Sequence, residues 1–146
     1  MRFPLLSRIL HWAMAAMILA MLFIGIGMVA SLSDYHWLIS IHKPLGALIF
    51  LLAAARLLNR QLDPPPPLPR GMPGWQRAAA KTSHILLYAL MLLLPLVGWA
   101  MLSAASYPIV LYGSLHLPPI LPNDPALFSL LRRAHGLLAL LLFAVI

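Results

Sequence analysis

The chain has 146 residues, of which 62% are apolar and 9% charged, and its net charge is +7. Soluble domains carry about 25% charged residues, so this composition excludes an ordinary water-soluble fold and points to a membrane protein. The absence of cysteine excludes disulfides, iron–sulfur clusters, thiolate-ligated haem and the Cys-x-x-Cys-His attachment of c-type haem.

The first predicted element is a helix over about residues 9–31, carried by the run "RILHWAMAAMILAMLFIGIGM". At roughly 23 residues it exceeds the 7–15 of a signal-peptide core, so it reads as a retained membrane helix. A short turn around "SLSD" leads to a second helix over about 37–58, interrupted only by Lys43. The connector "DPPPPLPRGMPGW" cannot hold a helix and favours an extended, semi-rigid form. A third helix is predicted over about 83–105. The segment "SYPIVLYGSLHLPPILPND" is apolar but holds four prolines and a glycine, and it reads as a folded loop at the membrane surface. A fourth helix is predicted over about 127–146. No charge falls between Arg8 and Asp34 or between Lys81 and Asp124, and no internal repeat is present. The expectation is an all-α transmembrane four-helix bundle forming a single domain over 1–146.

The basic residues sit at the ends of the apolar runs, which orients a membrane protein and gives no reason to expect nucleic acid as a partner. Arg2, Arg8, Arg56, Arg60, Arg70, Arg77 and Lys81 fall on one side, Lys43, Arg132 and Arg133 on the other with Asp34 and Asp124. The positive-inside rule then puts the N-terminus and the proline connector in the cytoplasm. Arg56 and Arg60 read as topology anchors. Trp12, Trp37 and Trp99 fit an interfacial aromatic belt, and the methionines read as packing and lipid contacts. Only about 13 residues follow Arg133, about 20 Å of helix against a hydrocarbon core of about 30 Å. Either the fourth helix is re-entrant or the chain stops partway through it; the second is the expectation.

Of the six histidines, His11, His42, His84 and His135 each lie in a different predicted helix. An ionisable side chain inside a membrane segment is costly and is a functional candidate by default; the bland reading is an interfacial imidazole bonded to a carbonyl or headgroup. In the orientation above, His11 and His84 lie near the inner face and His42 and His135 near the outer face. No carboxylate lies in any apolar segment, so a zinc hydrolase or a carboxylate proton relay has nothing to work with. Imidazoles at two levels without carboxylates suit two six-coordinate haems better than a hydrolytic metal. A flat macrocycle favours a small residue one turn from its ligand. Ala15, Gly46 and Ala139 stand there for His11, His42 and His135, with Gly136 beside His135; Tyr88 stands there for His84 and sets it apart. His36 and His116 lie outside the apolar segments and receive no role.

Four stretches, "RILHWAMAAM", "HKPLGALIFLLAAARLLNR", "HILLYALMLLLPLVGW" and "LRRAHGLL", resemble in order the helices of the bacterial cytochrome b-561 family. "YPIVLYGSLHLP" is similar to that family's outer loop. The wider group includes the cytochrome b subunits of hydrogenases and formate dehydrogenases. The resemblance implies a four-helix bundle holding two non-covalent b haems, each between two histidines. Carried over, His42 and His135 would hold the outer haem. The inner haem would use His11 and a second histidine of the fourth helix, roughly 14 residues after the first and back on nearly the same face; that position lies beyond Ile146. His84 matches a family histidine in the third helix that is near a ligand, in a quinone site, or here an alternative ligand. Lys43, Arg132 and Arg133 resemble basic residues flanking the outer haem, and they either meet its propionates or snorkel to the interface.

The function this resemblance implies is electron transfer between an outer-side donor and a membrane quinone, in the bacterial inner membrane. In one form the protein is a stand-alone superoxide:quinone oxidoreductase; in the other it serves a dehydrogenase or hydrogenase partner. The short chain favours the first. The outer face, with three basic and two acidic residues, gives little electrostatic steering of superoxide. The rival is a haem-free transporter subunit or scaffold whose histidines are interfacial.

Overall fold

The computed structural model describes residues 5–62, 64 and 71–146. Arg2, Arg70 and most of the proline connector lie outside the described residues. The elements in order are α1 (Leu5–Ala30), α2 (Tyr35–Leu62), α3 (Gly74–Ala104), β1 (Ile109–Tyr112), β2 (Leu115–Leu117) and α4 (Pro125–Val145). All four helices are long and apolar enough to cross a membrane. In hydrocarbon a chain has no water for its backbone N–H and C=O groups, so apolar runs of this length form helices that satisfy those groups internally. Pro44 and Pro95 lie inside α2 and α3, as membrane helices tolerate where surrounding protein can satisfy the freed backbone groups.

The helices extend past the apolar segments. α3 begins at Gly74, well before the predicted start near Ser83, because "WQRAAAKT" is polar yet made largely of strong helix formers. Its 31 residues reach about 46 Å, longer than a hydrocarbon core of about 30 Å. α2 gains Tyr35 and His36 at its start and Asn59 to Leu62 at its end for the same reason. α4 is one continuous helix of 21 residues, without the reversal that a re-entrant segment requires. Asp124 caps it: the carboxylate Oδ1 accepts from the N–H of Ala126 at 2.9 Å and of Leu127 at 3.0 Å, and Pro125 occupies the first helical position, where its missing N–H costs nothing.

Successive helices run antiparallel, α1 along α2, α2 along α3 and α3 along α4. This gives a four-helix bundle with a hairpin end (α1–α2 turn, β1–β2, start of α4) and a connector end (start of α1, end of α2, start of α3). Its middle is a packed apolar layer of Met14, Ile18, Ile49, Ala53, Leu90, Met91, Leu94 and Leu142. Along every helix this layer lies between the two levels at which the histidines stand.

The segment read from sequence as a folded loop contains an antiparallel hairpin instead. Gly113 takes φ +53° at the turn, a conformation that glycine adopts without strain, and Tyr112 pairs with Leu115 across it. The hairpin is bolted to α3 and α2. The Trp99 indole donates to the Pro118 carbonyl at 2.9 Å. Buried Ser103 donates to the Trp99 carbonyl at 2.9 Å and accepts from the Ile120 N–H at 3.1 Å. Lys43 Nζ donates to the Pro108 carbonyl at 3.3 Å.

Candidate cofactor site

His42 and His135 stand on α2 and α4, helices that are not neighbours in the chain. Their rings nevertheless meet toward the hairpin end, with centroids 6.1 Å apart and planes at 63°. The Nδ1 atoms of both are buried and find no hydrogen-bond partner; among the described residues these are the only buried side-chain polar atoms so placed. A buried polar atom without a partner is costly and demands an explanation.

The spacing of the two rings bears on what the pair could hold. An imidazole nitrogen binds a transition metal at about 2.0–2.1 Å and lies about 1.1 Å from its ring centre, so two imidazoles on opposite sides of one metal have centroids about 6.3 Å apart. The observed separation matches that arrangement and is too long for a direct hydrogen bond between the rings. Two imidazoles so spaced are candidates to hold one metal ion or haem iron between them.

Gly98 on α3 completes the local geometry. A Cβ at that position would lie 3.4 Å from His135 Cε1 and 3.7 Å from its Nδ1, so the ring rests against the α3 backbone, where a methyl would just touch it and a side chain much larger than alanine would displace it. Sequence reasoning assigned Gly98 no part. The small residues it did single out behave differently: a Cβ on Gly46 would meet Met21 of α1 at 3.5 Å, and one on Gly136 would meet nothing within 4 Å. Neither position shows a ring held against its backbone.

The basic residues predicted to flank this site are placed as follows. Lys43 adjoins His42 in sequence and reaches Pro108. Arg132 and Arg133 are exposed on α4. A cavity of about 430 Å³ opens beside the hairpin, lined by Ser103, Tyr107, Ile109, Leu117, Leu121 and Asn123 among others; none of the four helical histidines lines it.

The other two histidines form no comparable pair. His11 is exposed, its ring edge-on to Trp12 at 5.5 Å. His84 is exposed as well and lies within Coulomb range of Arg60, Arg56 and His11. Among the described residues no group of three or more His, Cys, Asp or Glu side chains gathers to hold a metal ion. His36 sits beside Tyr35, and the ring of His116 contacts the Ser114 carbonyl at 2.8 Å in the hairpin.

The family model described as prokaryotic cytochrome b561 matches residues 2–146. Cytochrome b561 homolog 2 of Escherichia coli strain K12 is 32% identical over 142 residues, covering 94% of this chain and 75% of that protein. Cytochrome b561 homolog 1 of the same strain is 32% identical over 108 residues, covering 70% of this chain and 58% of that protein. With four apolar spanning helices and a family match over residues 2–146, the chain belongs to the prokaryotic cytochrome b561 family, multi-pass membrane proteins that bind haem b for electron transfer.

Proposed function

We propose that this protein is a di-haem cytochrome of the bacterial inner membrane that passes electrons between a donor at the hairpin end and a membrane quinone. The observation that carries the reading is the His42–His135 pair with its two buried, unpartnered nitrogens. When bound, haem supplies one-electron transfer through its iron. His42 and His135 would hold its iron, and an iron held by two histidines favours outer-sphere electron transfer over chemistry at the metal. Gly98 sets the ring of His135. The apolar layer from Met14 to Leu142 excludes water between the two levels, and the low polarity there raises the energetic weight of nearby charges.

The second haem would use His11, with His84 as a group beside it, in a quinone site, or as a substitute ligand. The excess of basic residues at the connector end supports a cytoplasmic position for that end and the N-terminus. The hairpin end then faces outward, where superoxide or a dehydrogenase or hydrogenase subunit would deliver electrons. Lys43, Arg132 and Arg133 are the basic groups available to the carboxylates of the outer haem. Family membership stands against the haem-free transporter or scaffold.

The test is a pyridine haemochrome assay and a redox titration on the full-length protein purified in detergent, followed by mixing with quinol. Two b haems per chain, both reduced by quinol, are expected. A colourless protein would overturn the reading.

A further inference from the structure

The sequence assigned Arg56 and Arg60 to the membrane surface, yet the structure turns them into the bundle. Both are half-buried on α2. Arg56 Nε donates to the Tyr88 hydroxyl of α3 at 3.0 Å, and the Arg60 guanidinium lies 6.0 Å from the centre of the Tyr88 ring. Arg56 and Arg60 are one helical turn apart on α2, as His84 and Tyr88 are on α3, so two rows of polar groups face each other across one interface. His84 lies within Coulomb range of both arginines. Close by in sequence, Asn59 Nδ2 donates to Ser7 Oγ at 3.3 Å and ties α2 to α1.

This arrangement concentrates positive charge without a described acid to balance it. Asp34 sits in the α1–α2 turn and Asp124 caps α4, both at the hairpin end; Asp63 lies outside the described residues. A guanidinium withdrawn from water demands an anionic or hydrogen-bonding partner. Tyr88 meets only part of that demand. It occupies the Nε–H of Arg56 and offers its ring face to Arg60, and this leaves the Nη edge of Arg56, whose planar fork matches carboxylate and phosphate oxygens two at a time. The phenol acts as a brace that fixes the guanidinium plane.

We propose that Arg56, Arg60 and Tyr88 form an oxyanion site at the connector end of the bundle, built to take a carboxylate or phosphate group between α2 and α3. Two sources carry that chemistry: the carboxylate edge of the inner haem, an arm that rests on the di-haem reading, and the phosphate of an anionic lipid, which does not.

The test compares the full-length protein with Arg56→Gln, Arg56→Lys and Tyr88→Phe, each reconstituted in discs of neutral phosphatidylcholine and of phosphatidylcholine with phosphatidylglycerol. His42→Ala identifies the outer haem in the redox titration. If the site takes the haem carboxylate, Arg56→Gln lowers the midpoint potential of the inner haem alone, because a lost positive charge favours the ferric form. Arg56→Lys restores part of that shift and lipid composition leaves it unchanged. If the site takes lipid phosphate, phosphatidylglycerol raises the thermal midpoint of the parent protein, and Arg56→Gln abolishes the increment. The proposal is overturned if Arg56→Gln moves both haems equally, or neither, and also retains the parent's response to phosphatidylglycerol. Should Arg56→Gln fail to assemble, Tyr88→Phe reports on the same brace through smaller shifts in the same two readouts. A protein with one haem defeats the di-haem reading, and the lipid response alone then decides this site.

Discussion

The two ends of the bundle solve opposite problems with similar materials. At the hairpin end, two imidazoles from non-adjacent helices converge at a metal-spanning distance and leave their nitrogens unpartnered. At the connector end, two histidines stand exposed, while two arginines and a tyrosine converge instead. The hairpin end is thus organised around neutral nitrogen donors suited to a metal, and the connector end around cations suited to an oxyanion. Between them lies the apolar layer of Met14, Ile18, Ile49, Ala53, Leu90, Met91, Leu94 and Leu142. The lesson is that similar depth along a helix does not give two histidines the same role; what surrounds them does.

The largest effect that would break this comparison is expected from the imidazole pair. His42→Ala or His135→Ala should each remove one haem, halving the haem b content of a di-haem protein, and both should delete the same spectral component. Haemochrome absorbance per mole of protein measures this. His11→Ala should delete the other component.

The next effect sharpens the role of the α3 backbone. Gly98→Leu should displace the His135 ring and cost most of that same haem. Gly98→Ala, whose methyl meets the ring at ordinary contact distance, should retain it with a shifted absorption band. Equal haem retention in both variants would show that the ring does not depend on close approach to α3.

A smaller effect is expected where the hairpin is bolted to the bundle. Ser103→Ala removes the partner of the Ile120 N–H in a part-buried setting, a loss of about 0.5–1.5 kcal/mol. Asp124→Ala removes the cap of α4 and should cost about 0.5–2 kcal/mol. Thermal unfolding in detergent, followed by the helical circular dichroism signal, reads both. Smallest of all, Lys43→Ala should lower stability by about 1 kcal/mol or less, because its bond to Pro108 is long and exposed. A change in the outer haem's potential with this variant would add a carboxylate contact to its role.

The four helices were legible because a membrane imposes one rule on every apolar run, and hydropathy reads that rule directly. Their ends were less legible. "WQRAAAKT" carries charge, so it looks like connector, although its helix propensity extends α3 by more than two turns. The hairpin was hidden by its flanking prolines, Pro108, Pro118 and Pro119. Its signal was present in Ile109 to Tyr112, a β-branched and aromatic run closed by the two-residue turn Gly113–Ser114.

The candidate site was legible only in part. His42 and His135 were singled out as intramembrane imidazoles, but no spacing within one helix shows that α2 and α4 bring them together. Gly98 could not be read as a ring seat, because its neighbour lies on another helix. Arg56 and Arg60 looked like anchors since the sequence shows their depth and not their direction. Tyr88 had been marked as the bulky residue one turn from His84, and its contact with Arg56 gives that oddity a physical cause.

The central claim is that His42 and His135 hold one haem between them. The most direct measurement is the reduced-minus-oxidised absorbance spectrum of the purified full-length protein beside those of His42→Ala and His135→Ala. The account predicts that both variants lose the identical component and keep the remainder unchanged. Loss of different components by the two variants, or of none, would contradict it.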